Sequence, residues 1–198
     1  CHCSTYGSVE IVRQAKKHGI NVTAEVCPHH FTLTSKDVDA GDANYKMNPP
    51  LRTKKDVEAL KRGLRDDIMD VIATDHAPHS EEEKRRSFTA APFGIVGLET
   101  SFALGYTELV KRGILSLSEL VAKMSTNPAK VLGIAKGTLK PGTAADVVVA
   151  DIDTEYAIDS SKFLSKGTNT PFDGKLVYGK VLNTFVDGKL VYSEERNG

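Results

Sequence analysis

Cysteine is scarce in this chain: three residues in 198, an odd number that does not make a disulfide framework, so a reducing compartment, the cytosol, is the expected home. No charge of either sign dominates. The 26 acidic and 26 basic residues cancel, which removes the electrostatic case for nucleic acid or an anionic membrane surface as partner. Apolar runs are only a few residues long, far short of the ~20 needed to span a bilayer, and no signal-peptide pattern is visible. There is no internal repeat and no low-complexity tract. Gly94 and Gly97 do not make a phosphate cradle, because the spacing is wrong and no Lys-Ser/Thr follows. An initiator methionine is missing too: the chain opens Cys1-His2-Cys3-Ser4-Thr5, and we read it as one piece of a longer protein.

The stretch that is most informative is Val71-Ile-Ala-Thr-Asp-His-Ala-Pro-His79. Its small and apolar start reads as a short buried strand, and it stops at a carboxylate followed by two imidazoles. Parallel α/β barrels present their chemistry at the carboxyl ends of such strands, where a side chain is held rigidly and faces a cleft. Asp75 is therefore the first functional candidate, against the commoner role of such an Asp as a cap or turn residue.

Around it, Ser8 is a candidate cap for a helix over 9–18, with Val9, Val12 and Ala15 on one face and Gly19 at its end. Residues 20–26, rich in β-branched side chains, read as a strand, followed by Cys27-Pro28-His29-His30 as a loop. Thr53 with Asp56 makes a capping-box-like start for a helix over 54–65. Beyond the Ala91-to-Gly97 loop, whose two glycines suit a close backbone approach, helices are expected over 98–112 and from Ser116, with Glu119 completing another capping box. Asn127-Pro128 starts a short helical turn ending near Gly133. Strand, helix, strand, helix with nearly unbroken apolar strands is the parallel α/β pattern. A complete (β/α)8 barrel needs about 200 to 250 residues, and only two full strands are visible, with the tail of a third at Cys1-His2. The expectation is the end of a TIM barrel over residues 1–136. From Gly137 the character changes: residues 145–150 read as a strand, and 181–186 and 189–192 flank Asp187-Gly188, a strong hairpin signal. Residues 137–198 are expected to be strands of a small β-sandwich.

Of the groups that could carry chemistry, His2 lies between two cysteines. Side chains alternate along a strand, so Cys1 and Cys3 would point away from it, leaving His2 to face the cleft. A structural thiolate-zinc site wants four ligands, and Cys27 is the sole further cysteine, so that site is incomplete. His29 and His30, if extended, point oppositely, so at most one binds a given metal and polar packing is the plainer reading. His76 suits an orienting role and His79 could face a ligand. Residues 81–86 read as a solvated loop surface, and Arg52 as either a carboxylate fork or an ordinary ion pair.

Taken together, VCPHH after a strand, NPPLR, ATDHAPH and APFGIVGLET, in that order, resemble the carboxyl-terminal half of dihydroorotases of the bacterial class I branch of the amidohydrolase superfamily. HCST at the start and the segments GTLKPGTAADVVVAD and NTPFDGKLVYGKV resemble that family too. The resemblance implies zinc-dependent, reversible hydrolysis of the cyclic amide of dihydroorotate to N-carbamoyl-aspartate in pyrimidine synthesis. It implies two Zn2+ ions at the carboxyl end of a metal-dependent barrel, with His2 a ligand of one and Asp75 a ligand of the other and the catalytic base. Asn48, His79 and the Phe93-Gly94 backbone are implied to contact substrate. The remaining ligands and the substrate-gripping Arg would lie upstream, so the 198 residues alone are expected to be inactive. Homodimerisation or association with a transcarbamoylase is a possible partnership of the family. The alternatives are another cyclic amidase, of the dihydropyrimidinase or allantoinase kind, and an inactive dihydroorotase-like scaffold. Retention of His2, Asn48, Asp75 and His79 favours an enzyme.

Overall fold

Thr53 is extended, and its hydroxyl and the Asp56 carboxylate reciprocally cap the first turn of a helix over Lys54–Arg65, labelled α3 below. In the computed structural model, which describes residues 1–197, this helix is the crossover between two parallel strands, β1 (Glu25–Val26) and β2 (Val71–Ile72). Glu25 pairs with Val71 and Val26 with Ile72, so both strands run out at the same end. The Cys3 N–H donates to the Glu25 carbonyl at 3.0 Å, which brings the amino-terminal segment alongside β1 on its other edge. Helix α3 packs against α1 (Tyr6–Lys17) through Gly63, where an added Cβ would sit 3.1 Å from a Val9 methyl and 3.2 Å from Met69 Cγ. Val9, Val26, Phe31, Leu60, Leu64 and Ile72 meet in the core behind the strands. Thr53→Ala should cost about 1 kcal/mol through the lost cap, read as a lower denaturation midpoint with unchanged slope.

Several expectations are corrected. The first helix begins at Tyr6 and is capped by Thr5, whose hydroxyl accepts from the Ser8 N–H at 3.0 Å; Ser8 is inside the helix. Of the expected strand 20–26, Glu25–Val26 alone is paired as strand. Residues 28–32 are not a loop but a short helix, α2 (Pro28–Thr32), because Pro28 at its start has a preset φ and no N–H to leave unpaired. The run at 81–86 is partly helical: Ser80 and Glu83 form a capping box for α4 (Glu81–Lys84). Lys84 is buried, its ammonium donating to the Pro92 and Gly94 carbonyls at 3.2 and 2.9 Å. The helix expected over 98–112 starts at Ser101 as α5 (Ser101–Gly105) and widens into a π-helical turn over Tyr106–Val110. Ser116 and Glu119 cap α6 (Leu117–Val121) as expected, and α7 (Asn127–Leu132) ends at Gly133 in the left-handed conformation.

The tail forms two small antiparallel sheets. Strand β3 (Val147–Asp151) pairs with β6 (Lys180–Val186), which pairs in turn with β7 (Lys189–Ser193). The β6–β7 turn places Asp187 and Gly188 at φ 53° and 75°, the paired positive angles of a tight hairpin turn. A separate pair joins β4 (Tyr156–Ala157) to β5 (Leu176–Val177). Phe172 and Val177 of this tail share a second core with Met47, Ile95 and Leu104, so the tail packs directly on the segment around residue 95. Among the described residues no helix is long and apolar enough to cross a membrane.

Candidate active site

The first residue of β1, the exit of β2 and the amino-terminal segment each contribute one of three side chains that meet: Glu25, Asp75 and His2. His2 Nε2 lies 3.7 Å from Asp75 Oδ1, and His2 Nδ1 lies 2.7 Å from Glu25 Oε1. Glu25 also accepts from the His2 backbone N–H, so one carboxylate fixes both ends of this residue. The backbone at His2 and Asp75 is left-handed, at φ 51° and 48°, an uncommon conformation for which Asp and His are among the more tolerant non-glycine residues. The resulting strain, about 1–3 kcal/mol each, falls on the two residues whose side chains meet. All three remain partly open to solvent.

A metal fits this arrangement. The 3.7 Å between His2 Nε2 and Asp75 Oδ1 is too long for a hydrogen bond and suits two donor atoms that face cations at about 2.0–2.2 Å. The imidazole and carboxylate pairing is a zinc-type donor set, and Glu25 on the far nitrogen is the orienting carboxylate that metal-binding histidines typically have. Glu25 escaped the sequence reading. The signal was there in the alternation of the short strand, but it required the register of β1 against Cys3, which is a long-range fact.

The other sequence-derived residues form a flank around β2. The chain after Asp75 runs beside the 93–97 loop, with His76 bridged to Ile95 and the Ala77 N–H donating to the Ile95 carbonyl at 2.9 Å. His76 Nδ1 accepts from Gly97 N–H at 3.1 Å, which ties it to the 93–97 loop. The two glycines explain the closeness. A Cβ on Gly97 would be 2.5 Å from the Thr74 carbonyl oxygen, and one on Gly94, at φ 118°, would be 2.5 Å from Ala77 Cβ. His79 Nε2 is 2.9 Å from the Phe93 carbonyl, so His79, Phe93 and Gly94 do come together. Asn48 is exposed, on a segment pinned at Lys46, whose carbonyl accepts from Gly94 N–H at 2.9 Å, and at Pro49, whose carbonyl accepts from His30 Nε2 at 2.7 Å. Asn169 was also missed: its amide oxygen accepts from His79 N–H at 3.0 Å, while its amino group donates to the Ala77 and Gly94 carbonyls at 3.1 and 3.2 Å. It stands about 90 residues along the chain from the loops it joins, beyond the reach of any local pattern. Among the described residues Arg52 forks no carboxylate; its Nε donates to Ser4 Oγ at 3.4 Å.

His29 and His30 sit on α2, not on extended backbone, so their rings lie side by side with centroids 4.2 Å apart instead of pointing oppositely. Burial lowers both imidazoles below the ordinary value, His29 strongly. Burial, then the neighbouring Glu25 and Asp75 carboxylates, raises the Cys27 thiol far above its usual range. Because the folded histidines resist protonation, the unfolded chain takes up protons that the folded one refuses once pH falls below about 6.5. The stability they contribute is therefore fully present above that pH and lost below it, at up to about 1.4 kcal/mol per pH unit for each histidine. Melting temperature should be flat above pH ~7 and fall from about pH 6.5 toward pH 5, with a shallower fall in His29→Gln; an unchanged slope in that variant would contradict the assignment.

The parallel strands β1 and β2, with the amino-terminal segment beside them, bring an imidazole and a carboxylate together next to a loop-built flank, and this chain belongs to the amidohydrolase family, whose model matches residues 2–191. Among curated relatives, it is 55% identical over 178 residues to the dihydroorotase of Pelotomaculum thermopropionicum, a match covering 90% of this chain and 42% of that one. It is 58% identical over 174 residues to the dihydroorotase of Anoxybacillus flavithermus, covering 88% and 41%. The chain thus spans less than half the length of the curated relatives it matches. Among solved structures, the L-hydantoinase (dihydropyrimidinase) from Arthrobacter aurescens superposes with a TM-score of 0.91 at 34% identity, over 98% of this chain and 44% of that one. The dihydropyrimidinase from Brevibacillus agri gives 0.91 at 30% identity, with the same coverage.

Proposed function

We propose that this chain forms the carboxyl-terminal share of a dihydroorotase, residues 1–136 completing its barrel and 137–198 belonging to the accompanying β-sandwich. The observation that carries this is the His2–Asp75 pair at 3.7 Å, in a chain more than half identical to proteins named dihydroorotase. The substrate is a small molecule, dihydroorotate or, in reverse, carbamoyl aspartate, and the reaction is cytoplasmic. In this reading His2 and Asp75 each hold one of two zinc ions, and the remaining ligands belong to the part of its relatives' length that this chain does not span. When bound, such ions supply Lewis-acid polarisation and a water nucleophile usable near neutral pH.

The chain's own residues do the rest. Asp75 accepts the proton of the attacking water and returns it to the departing ring nitrogen, a shuttle that needs a carboxylate on a rigid strand end. Glu25 accepts a hydrogen bond from His2 Nδ1–H, which leaves the Nε2 lone pair directed toward Asp75 and fixes the ring's tautomer. His79 and the Phe93-Gly94 backbone, tied together at 2.9 Å and held by Asn169, present polar groups to an anionic, amide-bearing substrate, and in this reading the exposed Asn48 amide contacts it as well. Glu25→Ala should weaken zinc retention against a chelator by about 10- to 100-fold, with Glu25→Gln in between. Unchanged retention in both variants would remove Glu25 from the site.

The likeness to hydantoinase structures keeps a second reading open, a cyclic amidase for neutral rings. The full-length, zinc-loaded protein assayed with dihydroorotate and with dihydrouracil separates the two. Turnover of dihydroorotate alone is expected. Turnover of dihydrouracil in preference would establish the second reading, and no turnover of either by a folded, metal-loaded protein would point to a scaffold for a partner such as a transcarbamoylase.

A further inference from the structure

We propose that Cys27, His29 and His30 form a second, buried metal site, separate from the His2–Asp75 pair and selective for a soft monovalent cation, Cu+. The three residues occupy the cap and first turn of α2, and the Cys27 sulfur with one ring nitrogen from each imidazole lies within 4.8 Å of one another. The set is closed to water: Cys27 is 0% exposed and each histidine 2%. Buried polar atoms are nearly always hydrogen-bonded, yet His29 Nε2 and His30 Nδ1 are buried with no hydrogen-bond partner among the described residues. His30 reveals why its free nitrogen is a donor for metal. Its Nε2 sits 2.7 Å from the Pro49 carbonyl, which can only accept, so the ring proton is on Nε2 and the lone pair on Nδ1. That is the arrangement by which proteins orient a ligating imidazole.

The choice of cation follows from ligand number and softness. One thiolate and two neutral imidazoles around Cu+ make a complex of zero net charge, with the Glu25 carboxylate 3.9 Å from Cys27 Sγ outside the ligand set. Closed zinc sites take four protein ligands. Three donors including a thiolate suit a copper(I) ion, which sulfur ligands favour. Binding exchanges the Cys27 S–H bond for S–Cu, the proton passes to solvent, and no electron is transferred. Cys27 Sγ is also 3.6 Å from His2 Nδ1 and 3.9 Å from Glu25 Oε2, so the competing assignment is a cluster of Cys27 with His2 and Glu25.

The test is an anaerobic titration of the full-length protein carrying Cys1→Ser and Cys3→Ser with Cu+, in competition with bicinchoninate. Further substitution of Cys27→Ser should abolish the high-affinity equivalent. His29→Gln and His30→Gln should each weaken it by at least about tenfold, and His2→Asn should leave it unchanged. Copper held by one sulfur and two nitrogens, read by X-ray absorption on protein with α2 unaltered, decides the matter even where a variant fails to fold. Loss of copper in His2→Asn with retention in His30→Gln, an absorption signature without two nitrogens, or uptake independent of Cys27 would each overturn the proposal.

Discussion

Asp75→Asn in the full-length, zinc-loaded protein is expected to lower dihydroorotate turnover by about 10³-fold or more. Removal of a positioned acid–base group alone typically costs 10²–10⁴-fold, and the same substitution removes the charge that faces His2 Nε2 across 3.7 Å. Asparagine matches aspartate in size and tolerates the left-handed backbone at φ 48°, so the fold should survive and the loss should be one of chemistry. The effect should fall on kcat, because a proton shuttle acts in the transition state. Turnover within tenfold of the unaltered protein, at an unchanged melting temperature, would remove Asp75 from the role of base.

The second large effect concerns stability. Glu108, on the π-helical turn that follows α5, is 5% exposed at its side chain and faces three cations: Lys61 Nζ at 3.1 Å, Arg112 Nε at 2.9 Å and Lys175 Nζ at 3.9 Å. Lys61, on α3, is itself 9% exposed at its side chain. Glu108→Ala strands that ammonium without its counter-charge, which typically costs about 3–5 kcal/mol. Arg112 and Lys175 are more open, reach water on their own and add little. A double replacement, Lys61→Met with Glu108→Leu, removes both charges together and should recover most of the loss, since two apolar groups of similar volume are about as stable as a buried pair. Denaturant midpoints of the single and double variants measure this directly; a single-variant loss under 1 kcal/mol would mean that Lys61 finds water or another partner.

What could be read from the residues alone followed the range of the interaction. The Thr53–Asp56 and Ser116–Glu119 boxes and the Asp187-Gly188 turn act within a few residues, and all three elements lie where the sequence implied. Competition between local signals misled at α1, where Thr5 and Ser8 are both good caps and the extended backbone at Thr5 decides. Pro28 was read as a loop marker, although it is equally a first helical residue, and this error carried over to the directions of His29 and His30. The site divided in the same way. His2, Asp75, His79, Phe93 and Gly94 stand in short strings whose chemistry is visible, whereas Glu25 depends on the register of β1 and Asn169 on a tail that folds back onto the loops at residues 77–79 and 94. Lys84 and the Lys61–Glu108 pair drew no attention because a charged residue in a charged helix looks solvated until its neighbours are known.

The central claim is that this chain contributes His2 and Asp75 to a zinc centre, with Glu25 behind His2. Crystals of the full-length protein grown with zinc, with diffraction recorded on both sides of the zinc absorption edge, test it directly. The account predicts anomalous peaks within bonding distance of His2 Nε2 and of an Asp75 carboxylate oxygen, and Glu25 still hydrogen-bonded to His2 Nδ1. Fully occupied zinc peaks elsewhere, with neither His2 nor Asp75 among the ligands, would contradict it.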